Sequence, residues 1–274
     1  MTIRTVLTVL SGADTDVVDL AAIGQIAKAF PAHIDLLHVR RDPRTVMPMV
    51  GEGLSADLID MVQSQVEQEE SATAEKCQQV FEKWRSANGV VETNSPSLGL
   101  NVSARLLDET GDTASLVAIL GKMVDLVVLP SPSLDDGDLS PAAEAALYDT
   151  GRPVLFSPRK ELKTMGKRVA VFWNDTVEAS RAANAALPFL KQAEAVQIMS
   201  VDDGSVEPSM VEAFAQSLAW YGINAEAKLI EADDKSAATA LIDAAWDFEA
   251  DLIAMGAFSR SEERRVGKEC RSRW

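Results

Sequence analysis

Histidine, tyrosine and cysteine are almost missing from this sequence, with two of each in 274 residues. So few of them leave little material for a metal cluster or a histidine-based acid–base site. His33 and His38 stand five apart on or beside one strand, so they face opposite sides and cannot form a two-ligand set. No acid or nucleophile is spaced along the chain to use His38, which reads as a partly buried strand histidine. Cys77 is the only cysteine outside the last few residues, which excludes a disulfide within the body of the chain and favours a reducing, cytoplasmic compartment. Basic residues are also short: 26 Lys and Arg against 42 Asp and Glu give a net charge of −16. Such a chain repels nucleic acid and anionic membranes. No apolar run approaches the ~18 residues of a membrane span. The opening Met1–Leu10 has one basic residue and reads as a strand rather than a leader. Neither a Gly-x-x-x-x-Gly-Lys-Ser/Thr nor a Gly-x-Ser-x-Gly motif is present.

What is present is an alternation of short β-branched runs with helical patterns. Thr5–Leu10 reads as a strand buried on both faces, Asp16 to Phe30 as a helix stopped by Pro31, and Ile34–Val39 as a second strand. After a loop from Asp42 to Gly53, Ser55 is placed to cap a long helix to about Asn88. Cys77, Val80, Phe81 and Trp84 form its core stripe, and Glu67, Glu69 and Glu70 its solvated face. Asn101–Leu107, Asp125–Leu129 and Pro153–Phe156 are the third, fourth and fifth strands, with helices capped by Asp112 and starting at Ser140 between them. Asp135, Asp136 and Asp138 lack the full ligand series of a calcium loop and read as a solvated acidic loop.

The pattern then restarts. Arg168–Trp173 is again a first strand, followed by a helix to Leu190 with Ala182, Ala183, Ala186 and Leu187 inward. Asp175 and Glu178 are spaced as a capping box. Val196–Val201, Asn224–Ile230 and Asp251–Met255 repeat the second, third and fourth strands, with helices Pro208–Tyr221 and Ser236–Phe248 between. Trp220, Tyr221 and Trp246 sit at core spacing and read as packing or domain-interface groups. Val6 and Val169 are 163 apart, Val39 and Val201 162, Asn101 and Asn224 123, Asp125 and Asp251 126. The first copy therefore holds about forty extra residues between its second and third strands. Each copy, a β-α-β-α-β-α-β series, implies a doubly wound parallel sheet, so the fold class is α/β in two tandem Rossmann-like domains.

The expected boundaries are a first domain 1–160, a linker 161–167 and a second domain 168–259. From Arg260 to Trp274 the chain resembles the in-frame translation of a common short-read sequencing adapter, RSEERRVG through to the end. The expectation is that this tail is not native, and that the second domain lacks its last strand and helix. Without the tail, 20 basic residues face 39 acidic ones, a net charge of −19.

In order and duplication, VLTVL and VAVFW, LLHV, DLVVLPS and DLIAMGAFS, and TGRPVLFSP resemble a tandem universal stress protein of the bacterial type. The resemblance implies a strand order of 3-2-1-4-5, a dimer-like pairing of the two copies with each other, and a stress-response role without a single chemistry. It also implies ATP as a cofactor in many members, through an Asp after strand 1, a Val ending strand 2, and a Gly-x-x-Gly with a later Gly-Ser/Thr after strand 4. In the first copy these positions fall on Ser11 or Asp14, on Val39, and on Leu129-Pro130-Ser131-Pro132, where proline supplies no N–H. In the second copy they fall on Asn174 with Asp175 beside it, Val201, Met255, Gly256 and Ser259, a candidate adenine-nucleotide half-site.

Two functions follow. One is a non-catalytic stress-response protein that acts through regulated contacts with protein partners, and not with nucleic acid or membrane. The other is an ATP-binding switch or weak ATPase that uses the second domain of a full-length parent, since the Gly-Ser/Thr of the pattern is missing where the tail begins. A phosphotransfer receiver needs an acidic cluster at the ends of strands 1 and 3, which Leu10-Ser11 and Phe172-Trp173-Asn174 do not supply.

Overall fold

A computed structural model describes residues 2–43, 56–95, 101–132, 139–158, 163–232 and 234–257. The Ser55 cap, the acidic loop at Asp135, Asp136 and Asp138, Ser259 and the tail from Arg260 lie outside the described residues. The chain divides into two compact units, Thr2–Leu162 and Lys163–Trp274.

In the first unit the elements run β1 (Thr5–Leu10), α1 (Asp16–Ala29), β2 (His33–Arg40), α2 (Ala56–Asn88), β3 (Val91–Glu92), β4 (Ser103–Thr110), α3 (Thr113–Leu120), β5 (Leu126–Pro130), α4 (Pro141–Asp149) and β6 (Val154–Ser157). All strands are parallel, in the order β3-β4-β2-β1-β5-β6. This is the expected 3-2-1-4-5 order with one strand added at the edge. Two-residue β3 carries no periodic pattern to announce it, and it forms because Val91 and Glu92 find Ser103 and Ala104.

The sheet is covered on both faces. Leu7, Leu37, Val127 and Leu129 point into a cluster with Val117 of α3 and Ala143, Ala145 and Ala146 of α4. Helices α1 and α2 pack on the other side, where the Trp84 indole donates to the Leu20 carbonyl at 3.0 Å. Val127 is fully buried, whereas Val9 is half-buried at the carboxyl rim. Helix α2 is one uninterrupted element, and Cys77, Phe81 and Trp84 are buried in it. Val80 is only half-buried, because it lies at the margin of the stripe. Glu67 and Glu69 are exposed, but Glu70 is buried, against expectation. The cause lies across the sequence: Glu70 accepts from the Arg41 side chain at 2.5 Å and from the Arg41 backbone N–H at 3.2 Å.

In the second unit β7 (Arg168–Phe172), α5 (Val177–Leu190), β8 (Ala195–Val201), α6 (Pro208–Ser217), β9 (Ala225–Ile230), α7 (Ala237–Asp247) and β10 (Leu252–Ala254) form a parallel four-stranded sheet in the order β10-β7-β8-β9. Val169, Val171, Val196 and Ile198 pack under α5 and α6. Ala170, Met199 and Ile230 pack under Ala240, Ala244 and Ala245 of α7. Ala182 is half-buried at the flank of α5.

The registers test the repeat. Val6 pairs with Ile34 and Leu126, and Val169 pairs with Val196 and Leu252, so the offsets of 162 and 126 hold. The third strands differ. Ala104 stands opposite Ile34 as Ala225 stands opposite Val196, an offset of 121. The match of Asn101 with Asn224 was a coincidence of identity, and hydrogen-bond register displaces it by two residues. The expected capping box at Asp175 is also replaced. Asp175 takes a left-handed φ of 54°, so the helix begins one residue later, and the Thr176 hydroxyl caps it by accepting from the Ala179 N–H at 3.2 Å. Among the described residues no helix is long and apolar enough to cross a membrane.

Candidate functional site

Ligands of open parallel sheets bind beyond the carboxyl ends of the strands, where the strand order reverses. Two such crevices exist, one at the ends of β1 and β5 and one at the ends of β7 and β10.

At the first, the turn after β1 is held by the chain's own carboxylate. Buried Asp16 accepts from the Ser11 N–H at 3.0 Å, the Gly12 N–H at 2.8 Å and the Ser11 hydroxyl at 2.7 Å. These are the donors that an anionic ligand would need, and a side chain already uses them. Asp14 is exposed and takes no part in this, and Val39 is half-buried. Gly12 has φ +75°, and a β-carbon there would lie 2.6 Å from the Thr73 methyl of α2. Beside it, burial pushes the Cys77 thiol up to about 12, helped by the carboxylates of Asp16 and Asp108, so the sulfur stays protonated. At the end of β5 the Ser131 N–H donates to the Ser157 carbonyl at 2.8 Å. The Ser157 hydroxyl in turn donates to Asp19 at 3.0 Å.

At the second, Asn174, Asp175, Val201, Met255 and Gly256 all stand at the carboxyl end of the sheet. Asn174 is exposed and its side-chain oxygen accepts from the Thr176 hydroxyl at 2.7 Å. Asp175 is exposed, Val201 is buried beneath the strand ends, and Met255 projects outward. Gly256 lies against the first turn of α5. A β-carbon on it would sit 2.9 Å from both the Ala179 nitrogen and the Glu178 carbonyl carbon. The absence of a side chain is used for close packing against a helix end.

Next to them is a residue that sequence reading left in the strand. Trp173 is buried and stacks on Phe214 of α6, with ring centroids 3.9 Å apart and planes 8° from parallel. Its indole N–H has no partner among the described residues. No local signal marks this pair, because the two rings come from separate elements.

No protein-family model matches the sequence, and no curated protein does. Solved structures do match. A universal stress protein from Archaeoglobus fulgidus DSM 4304 covers 93% of this chain and 87% of its own, at 15% identity and a TM-score of 0.69. A protein from Pseudomonas aeruginosa UCBPP-PA14, assigned to the universal stress proteins, covers 94% of this chain and 84% of its own, at 16% identity and a TM-score of 0.50. The fold is that of the universal stress proteins.

Within this universal stress protein fold, sequence reading also missed the polar arrays between β2 and β4. His38 has an acid after all: its Nδ1 lies 3.0 Å from Asp108, which Arg40 also grips. The Arg40 hydrogen bond holds the Asp108 carboxyl below its usual range against the effect of burial, and His38 adds to this. Nearer the amino ends, His33 Nδ1 meets the Ser103 hydroxyl at 2.9 Å and its Nε2 meets Asp35 at 3.2 Å. Arg105 donates to Asp35 at 2.6 Å. Burial raises the Asp35 carboxyl, but the bonds from His33 and Arg105 outweigh it and hold it below the usual range. Ser103 is itself buried and its N–H is spent on the Ala32 carbonyl, so this array pins two strands together.

Proposed function

We propose that this protein is a stress-response protein without catalysis of its own, which acts through contacts with other proteins. The observation that carries the reading is the Gly256–Ala179 contact, with the capture of the Ser11 and Gly12 N–H groups by Asp16 in support. Each crevice spends on internal packing the feature that a nucleotide phosphate would need. The fold likeness supports the stress-response class.

A second reading has its own support. Asn174, Val201 and Gly256 stand at the ends of β7, β8 and β10, at the carboxyl end of one sheet, and an ATP-binding switch or weak ATPase would use them. The two readings separate in one experiment. The purified chain is denatured, released small molecules are assayed for ATP, and the native chain is melted with and without millimolar ATP-Mg. No ATP and an unmoved midpoint are expected. Stoichiometric ATP, or a midpoint that rises with nucleotide concentration, overturns the first reading, because a ligand that binds the folded state must stabilise it.

A further inference from the structure

Strand β9 (Ala225–Ile230) is the last strand of its sheet, and no described strand lies beyond it. Its counterpart in the first unit is covered. There β3 lies along β4, and the Thr93 N–H donates to the Ala104 carbonyl at 3.1 Å. Ala104 corresponds to Ala225, but only Gly222, Ile223 and Asn224 stand between Tyr221 and β9, too few to supply a covering strand. The pairing with β8 shows which backbone groups are left over. The Asp202 N–H donates to the Ile230 carbonyl at 2.9 Å, so Ile230 faces β8, and Lys228 and Glu226 face it in alternation. Ala225, Ala227 and Leu229 therefore turn their N–H and C=O groups outward, as Ala104 does in the first unit. Among the described residues these groups have no backbone partner. An edge of this kind is a template for another strand.

We infer that the occupant is a second copy of this chain, whose β9 adds antiparallel to this one about a two-fold axis at Ala227. That axis pairs Ala227 with the partner's Ala227 and Ala225 with the partner's Leu229, so every outward residue meets another outward residue in a hydrogen-bonded pair. It also sets Glu226 opposite the partner's Lys228, twice over, at the closer non-hydrogen-bonded positions. The antiparallel registers on either side set Glu226 against the partner's Glu226, or Lys228 against the partner's Lys228, and like charges directly opposite repel. Both charges are available. Glu226 is exposed and takes only the Gln197 amide at 3.4 Å, and half-buried Lys228 holds no carboxylate among the described residues. On the other face Leu229, 37% exposed, comes beside the partner's Ala225. A lone lysine on an edge discourages pairing, but a glutamate two residues before it makes the strand its own complement. In the first unit the corresponding positions are Arg105 and Leu107, which hold no such pair.

Self-pairing goes beyond the functional reading above and stands whichever way the ATP test falls. Sedimentation velocity of the full chain over a concentration series measures it. A reversible dimer is expected, and a weak one, because a single edge strand buries less than the ~1,200–2,000 Å² of a stable interface. Glu226→Lys alone and Lys228→Glu alone should each weaken the dimer about tenfold or more, since each sets like charges opposite one another twice. Mixed in equal amounts, the two variants should associate again, because every charge then meets its opposite. That recovery also shows that both variants are folded. Ala227→Pro removes an outward N–H, leaves the ladder with β8 in place, and should abolish the dimer without lowering the melting midpoint. A chain that is monomeric at every concentration overturns the inference. So does a dimer that neither charge variant weakens, or a pair of weakened variants that stay apart on mixing.

Discussion

Gly256 and Ala179 touch through their backbones: a β-carbon on the glycine would fall 2.9 Å from the alanine nitrogen. Nothing at that distance is a flexible side-chain end, so the neighbour cannot give way cheaply. Gly256→Ala should therefore destabilise the second unit by about 1–3 kcal/mol, the usual cost of overpacking. Urea unfolding followed by Trp fluorescence measures it. A cost near zero would mean that the first turn of α5 yields, and that the strand end has room for a ligand.

The corresponding device in the first unit is Asp16. Asp16→Ala takes the acceptor from the Ser11 and Gly12 N–H groups and from the Ser11 hydroxyl; because Ser11 is exposed and Gly12 half-buried, water replaces part of it, at about 0.5–1.5 kcal/mol for each lost bond. A fall in the unfolding midpoint confined to the first unit is expected, with Asp16→Asn milder. If Asp16→Ala instead gains a melting shift with inorganic phosphate, the freed donors have become an anion site.

Acid should weaken the first unit through Asp35 and Asp108. Both carboxyls are held below their usual range in the folded state. Their stabilisation is complete above the unfolded carboxylate value of about 3.9 and is lost as pH falls through the lowered folded values. Melting between neutral pH and strong acid should show the midpoint falling below about pH 4. Asp35→Asn should lower the midpoint at neutral pH and flatten part of that fall. An unchanged slope would show that the Arg105 and His33 contacts are not formed in solution.

What the sequence made legible was what local chemistry decides. The β-branched runs gave β1, β2 and β5, and Asp112, Ser140 and Ser236 cap the helices they were expected to start. What it concealed depends on register. His33–Ser103, His38–Asp108 and Asp35–Arg105 are each 70 residues apart, because one parallel pairing of β2 with β4 sets them all opposite. Glu70 is buried because Arg41 meets it from another element. Trp220, Tyr221 and Trp246 had core spacing and are instead exposed. Periodicity states which residues share a face, but not whether anything covers that face. At the candidate site, the order of strands was enough to place Asn174, Asp175, Val201, Met255 and Gly256 at one end of the sheet, whereas the Trp173–Phe214 stack and the packing role of Gly256 required the fold.

Cys77 should be inert while the chain is folded. It is fully buried and its thiol is pushed up to about 12, first by burial and then by Asp16 and Asp108. In a Cys270→Ser background, a disulfide reagent at pH 8 should react only as fast as the first unit unfolds, since the thiolate is the attacking form. Rapid labelling of the native chain would mean that α2 lifts from the sheet without global unfolding.

The last expectation concerns Trp173, where two effects oppose each other. Its ring is closely stacked on Phe214, so removal of the whole side chain leaves a cavity in the core of the second unit. Trp173→Ala should cost about 3–5 kcal/mol. The indole N–H, however, is buried with no partner among the described residues, and such a donor carries a desolvation penalty of about 1–3 kcal/mol. Trp173→Phe keeps a ring for the stack and removes the unpaired donor, at the expense of a smaller void. The void term and the recovered penalty are of similar size, so the phenylalanine variant should unfold within about 1 kcal/mol of the parent. Urea midpoints of the three chains decide the matter. A loss in Trp173→Phe as large as in Trp173→Ala would show that the N–H has an acceptor in solution, at a strand end where a bound molecule would supply one. The ATP-Mg titration should then be repeated on the parent and on Trp173→Phe, and a nucleotide shift present only in the parent would move the balance to the ATP-binding reading.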